Sequence, residues 1–143
     1  MRLPADVEYA YKAVVELSLR YNGDNPVQLS TISDSQGIPK KFLIQLLLRL
    51  KNASIVNSTR GSQGGYYLTR PPSRISLADV VKAIDDTILN IPKKAKPGKA
   101  NDSERVLLNI LTGISEDAAR RLETITFDKL TAQIKNEQLT YYI

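Results

Sequence analysis

Residues 58–68 read STRGSQGGYYL. Short runs rich in β-branched and aromatic residues, Ser54 to Thr59 and Tyr66 to Thr69, flank a tip that holds three glycines and one arginine. That composition predicts a two-stranded hairpin. Gly61, Gly64 and Gly65 allow positive φ and close backbone approach, and Arg60 adds one long cation. Such a tip has little bulk and suits a narrow cleft lined with negative charge.

Upstream stands a strongly apolar segment from Pro39 to Asn52, with Leu43, Leu46, Leu47 and Leu50 at helical spacing. Before it, Thr31 and Asp34 are spaced like a capping box, so a short helix is expected there, stopped by Gly37. An opening helix follows from Leu3, Val7, Ala10, Val14, Leu17 and Tyr21, and ends in the breakers Asn22 to Pro26. Helix, helix, basic helix and hairpin, in that order, is a winged helix-turn-helix. The second helix of such a motif lies in the major groove of DNA while the hairpin tip reaches a neighbouring groove. A guanidinium is attracted to narrow, A/T-rich minor groove, which is a reason for Arg60. The plainer alternative is a tight hairpin turn with Arg60 in solvent.

Downstream, Arg70 to Ser73 is expected as an extended connector. Ser76 and Asp79 open a fourth helix with Leu77, Val80, Val81, Ile84 and Ile88 on one face. Residues 91–101, IPKKAKPGKAN, break the composition and read as a flexible Lys/Pro loop. A long helix is expected from Ser103 to about Glu123, followed by a short one capped by Thr126. The fold class is therefore mainly α with a small β-hairpin. Residues 1–90 form a winged helix-turn-helix domain, 91–102 the loop, and 103–143 a dimerisation helix and C-terminal tail.

Charge and composition narrow the function. The net charge is +5, and between Lys40 and Arg74 lie seven bases and no acid, an electrostatic footprint for a polyanion. Cysteine and histidine are both absent, so thiolate nucleophiles, imidazole bases and most transition-metal ligation are excluded. No enzyme, no metal and no cofactor are expected. No apolar run approaches the roughly 18 residues of a membrane span, and a soluble cytoplasmic protein without membrane contact is expected.

With the four leucines inward, Lys40, Lys41, Ile44, Gln45 and Leu48 point outward. Lys40 and Lys41 are placed for phosphates or a guanine edge, and Gln45 for adenine. Ile44 and Leu48 either cover thymine methyl groups or pack on the wing or first helix. Arg49 and Lys51 grip the backbone or are solvated. Ser30 and Thr31 offer donors to phosphate or simply cap their helix. Together with Arg60, Gly61 and Gly64 these are the candidate DNA-binding residues, and double-stranded DNA is the expected partner. In the long helix Leu107, Leu111, Ile114, Ala118 and Leu122 form a stripe expected to pair with a second copy, the alternative being an intramolecular core.

The opening MRL with Tyr9-Ala10, the segment GIPKKFLIQLLLRLKNASIV, the wing STRGSQGGYYLTRPP, ISLADVVKAID and ITFDKL together resemble the Rrf2 family of bacterial winged-helix transcription factors over nearly the full length. The resemblance implies a homodimer whose long penultimate helix crosses its partner, and repression by occupying a palindromic promoter site. Sensing members of that family carry three cysteines in the loop matching Ile91 to Asn101, where this chain has none. Asp6 and Glu8 stand where members often have a basic stretch, and Ile44 stands where a glutamate usually precedes the glutamine. A base preference read through that carboxylate is lost or changed here. These departures support an alternative, a protein-interaction module with a winged-helix fold that has lost specific DNA binding. The ending Tyr141-Tyr142-Ile143 is similar to that of the family's cysteine-metabolism repressor, which implies O-acetylserine sulfhydrylase as a partner captured through the tail. The alternative is a tail packed on the dimer.

Overall fold

The computed structural model describes residues 2–90 and 101–142. The opening helix α1, Ala5–Leu19, buries Val7, Ala10, Ala13, Val14 and Leu17 along the stripe expected from spacing, while Leu3 precedes it and stays exposed. Its buried Glu16 accepts from Arg20 at 2.6 Å and from Gln36 at 2.8 Å, so a carboxylate out of water is satisfied twice and ties α1 to the next helix.

That helix, α2, Leu29–Gln36, starts earlier than the Thr31 cap predicts. Gln28 is the N-cap and makes no side-chain cap, so Ser30 and Thr31 lie inside the first turn and their capping role does not hold. The cause is tertiary. Val27 pairs with Tyr66 through two backbone bonds of 2.7 and 2.8 Å, which holds the chain extended up to the point where Leu29 meets the core. Gly37 then closes α2 in the left-handed conformation, φ 64°, and turns the chain into α3, Lys40–Asn52. Leu43, Leu46, Leu47 and Leu50 are buried as spacing requires.

The hairpin pairs β1, Val56–Thr59, with β2, Gly65–Leu68, antiparallel and in the register Val56 to Leu68 and Thr59 to Gly65. Residues 71–74 depart from the extended connector: Pro72–Arg74 forms a 3-10 turn with Pro72 buried. In α4, Leu77–Ile84, Ser76 and Asp79 make the full capping box. This helix ends at Ile84, and Ile88 falls in a separate 3-10 turn, Asp86–Leu89.

Helix α5, Asp102–Thr124, is capped by Asn101 and runs about 34 Å. The expected Lys/Pro loop lies, apart from Asn101 and Asp102, outside the described residues. The last helix, α6, Phe127–Tyr142, is long where a short one was expected. Residues 125–127 pair antiparallel with 75–77, through Leu77 N–H to Ile125 O at 2.9 Å and Phe127 N–H to Ile75 O at 3.0 Å. This inserts Phe127 into the core beside Tyr11, with no exposed surface. The core of the winged domain thus takes one of its largest side chains from the far end of the chain.

Candidate nucleic-acid interface

Helix termini separate the two kinds of surface on this molecule. The N-termini of α4 and α5 carry side-chain caps and an acid in the first turn. Those of α2 and α3, the two helices of the helix-turn-helix, have neither. Helix α3 opens with Lys40 and Lys41 at its positive dipole end, where acids are ordinarily favoured. That arrangement is unfavourable alone and favourable beside an anion.

The seven bases of the acid-free window divide by partner. Arg70 is structural: it donates to the carbonyls of Arg74 at 2.9 Å and Ser54 at 3.2 Å and faces Asp79 at 3.4 Å. Lys51 donates to Ser58 at 2.9 Å and so braces α3 against the wing. Arg49 turns to Asp6 at 3.3 Å. The Asp85 carboxyl is held below the ordinary carboxylate range by side-chain and backbone bonds from Thr87, with Arg49 adding a smaller pull. Arg49 therefore links α3 to the first turn of α1, which accounts for an acid at position 6. Lys40, Lys41, Arg60 and Arg74 are exposed, and their side chains make no hydrogen bond or ion pair among the described residues.

Phe42, not singled out from sequence, is half exposed yet stacks on Tyr9 with ring centroids 6.5 Å apart, while Lys12 lies over the other ring at 5.8 Å. One flank of α3 is thus pinned to α1 through Phe42 and Arg49, and the other to the wing through Lys51. Ile44 and Gln45 remain exposed between them, Leu48 is 57% exposed, and neither Ile44 nor Leu48 is among the apolar side chains packed on the core.

The glycines of the wing do different work. Gly61, with φ 109°, has open space around it and is required by conformation. Gly64 is not in that region. Its N–H bonds Gly61 O at 3.0 Å, and a Cβ would sit 2.4 Å from Thr59 O, so it is required by space. Gly65, with φ 153°, lies against Val27, whose carbonyl oxygen a Cβ would meet at 2.3 Å. The tip is therefore narrow because its backbone is folded on itself.

The profile of the Rrf2 family, described as an iron-dependent transcriptional regulator, matches residues 3–133. The chain belongs to the Rrf2 family. Among its relatives is the HTH-type transcriptional regulator IscR of Xenorhabdus nematophila, 34% identical over 140 residues that cover 97% of this chain and 82% of the relative. An HTH-type transcriptional regulator of Mycobacterium tuberculosis is 40% identical over 91 residues, 64% of this chain, and the match spans only 56% of that relative's length. Among solved structures, IscR of T. potens superposes with a TM-score of 0.78 at 25% identity, over 96% of this chain and 91% of that one. CymR, the global cysteine regulator of B. subtilis, shares the fold with a TM-score of 0.77 at 22% identity, over 93% of this chain and 98% of that one.

The family description names iron, and the donor chemistry of this chain does not fit it. There is no cysteine or histidine in the sequence, and residues 91–100 offer lysines but no ligating side chain. Among the described residues no group of three or more acids stands close enough to hold a metal. Among them, too, no helix is long and apolar enough to cross a membrane.

On α5 the expected stripe divides. Leu107, Leu111 and Ile114 are exposed, as are Val106 and Ile110, whereas Ala118 and Leu122 are half-buried against the winged domain. Those two, with Leu3, Tyr11, Val81 and Ile125, line an apolar groove of about 420 Å³. At the chain end Tyr141 is 86% exposed, while the Tyr142 side chain and Ile143 lie outside the described residues.

Proposed function

We propose that this chain is a cytoplasmic, sequence-specific DNA-binding regulator, a repressor, that occupies a palindromic operator as a homodimer and carries no iron or cluster. The observation that carries the reading is the basic face of Lys40, Lys41 and Arg60, exposed on an uncapped recognition helix and a narrow wing, with no acid between residues 40 and 74. Phosphates complete what those helix ends lack. If each copy neutralises three phosphates, a dimer releases counterions from six, so log Kd rises with log salt at a slope of about 5. A slope near zero in a salt titration of duplex binding favours the interaction module instead.

Support for the dimer comes from helix arithmetic. An antiparallel crossing near Ile114 lays Val106, Leu107 and Ile110 of one copy over Ala118 and Leu122 of the other, so exposed apolar side chains meet the groove. The contact is self-complementary, as a two-fold interface demands. A palindromic operator calls for the two recognition helices to stand about one DNA turn apart, roughly 34 Å. As a separate proposal, the exposed end at Tyr141 and the terminal Ile143 recruit O-acetylserine sulfhydrylase. Equal capture of that enzyme by the full chain and by a form lacking Ile143 would end this idea.

A further inference from the structure

The exposed side of α3 is not uniformly polar. With Leu43, Leu46, Leu47 and Leu50 buried, the hundred-degree step of an α-helix puts Lys41, Gln45, Leu48 and Asn52 opposite the core, with Ile44 beside them. Ile44 is 50% and Leu48 57% exposed, and neither belongs to the apolar groups packed on the core. Among the described residues Phe42 stacks on Tyr9, Leu3 lines the apolar groove and the exposed side chains of α5 lie on the proposed dimer face, while Leu139 stands on α6, far along the chain from the basic window. Ile44 and Leu48 have no such account, although their helix opens with Lys40 and Lys41 and lies within the acid-free window from Lys40 to Arg74.

Charge complementarity therefore brings DNA to this face, and an apolar pair there needs an apolar partner. The major-groove edges of bases are hydrogen-bonding groups apart from the C5-methyl of thymine. Residues four apart on a helix are separated by about 6 Å along its axis, and base pairs by about 3.4 Å. Two such side chains thus span one to two base steps. Between them in sequence stands Gln45, whose amide pairs with the N6 and N7 edge of adenine. We propose that Ile44 and Leu48 read a pair of thymine methyl groups within two base steps, beside an adenine engaged by Gln45, and that this pair defines the half-site.

The inference rests on the DNA-binding reading and is tested so that the two fail separately. Duplexes bound by the full chain are selected from a random-sequence pool and resynthesised with uracil for thymine, which deletes the methyl and keeps every hydrogen-bonding edge. Affinity measured by fluorescence anisotropy should fall about fourfold for each contacted methyl. In Leu48→Ala and Ile44→Ala, surface changes that leave the core intact, the thymine duplex binds more weakly and the penalty for uracil shrinks. Equal affinity of the wild-type chain for thymine and uracil duplexes overturns the inference while DNA binding stands, as does a full uracil penalty in both variants. Failure to select any duplex overturns the DNA-binding reading and this inference with it.

Discussion

Replacing Gly65 by alanine should unmoor the wing without touching a residue that faces DNA. A Cβ at this position would lie 2.3 Å from Val27 O and 2.6 Å from the Val27 carbonyl carbon, both backbone atoms that no rotamer change can move. Restoring ordinary contact requires the two segments to part by about 1 Å. That separation breaks the 2.7 and 2.8 Å bonds between Val27 and Tyr66. Two backbone hydrogen bonds at about 1 kcal/mol each, with about 1 kcal/mol for an L-residue forced to positive φ, total about 3 kcal/mol. For a domain of this size that lowers Tm by about 10 °C. Urea denaturation followed by circular dichroism measures the free energy directly. Gly61→Ala is the internal control: open space surrounds it, so only the backbone term of about 1 kcal/mol applies. A Gly65→Ala protein within about 0.5 kcal/mol of wild type, or no less stable than Gly61→Ala, would refute the reasoning.

Arg60→Ala is expected to weaken operator binding by about 1 to 3 kcal/mol with an unchanged melting temperature, since the side chain makes no hydrogen bond among the described residues; unchanged discrimination between operator and random duplex would make Arg60 a bystander. Ser54 holds φ 60° without being glycine, and its carbonyl keeps its bonds from Thr69 and Arg70 whatever the side chain. Ser54→Gly should therefore stabilise the fold by about 0.5 to 1 kcal/mol in the same urea assay. Ile110→Lys places two lysines in the proposed two-fold contact and should yield monomers by sedimentation velocity, whereas a dimer of unchanged affinity would remove α5 from the interface. Burial pushes the Tyr11 hydroxyl, which donates to Leu77 O at 3.1 Å, up to about 12. The buried neutral form is favoured in the folded state, so its contribution is complete below pH 10 and declines as pH rises toward 12. An absorbance titration should show one late-ionising tyrosine that is missing from Tyr11→Phe.

Local interactions wrote much of this protein legibly into its chain. The leucine spacing of α3, the Gly37 turn, the Ser76–Asp79 box and Gly61 and Gly64 of the wing each depend on residues within a few positions of one another, and each is where spacing puts it. The basic window and the lack of sulfur or imidazole donors need no coordinates at all. What spacing could not reveal came from pairings between distant residues. The cap signal at Thr31 lost to the Val27–Tyr66 pairing, and Phe127 entered the core because residues 125–127 bond to 75–77. Likewise, Arg49 of the window is engaged by Asp6, 43 positions away, while Lys51 and Arg70 find partners on other elements nearer in the chain, Ser58 and Asp79. A sequence records which groups can attract one another, but contact between residues tens of positions apart exists only once the core has closed, so the division of the basic surface belongs to the tertiary structure.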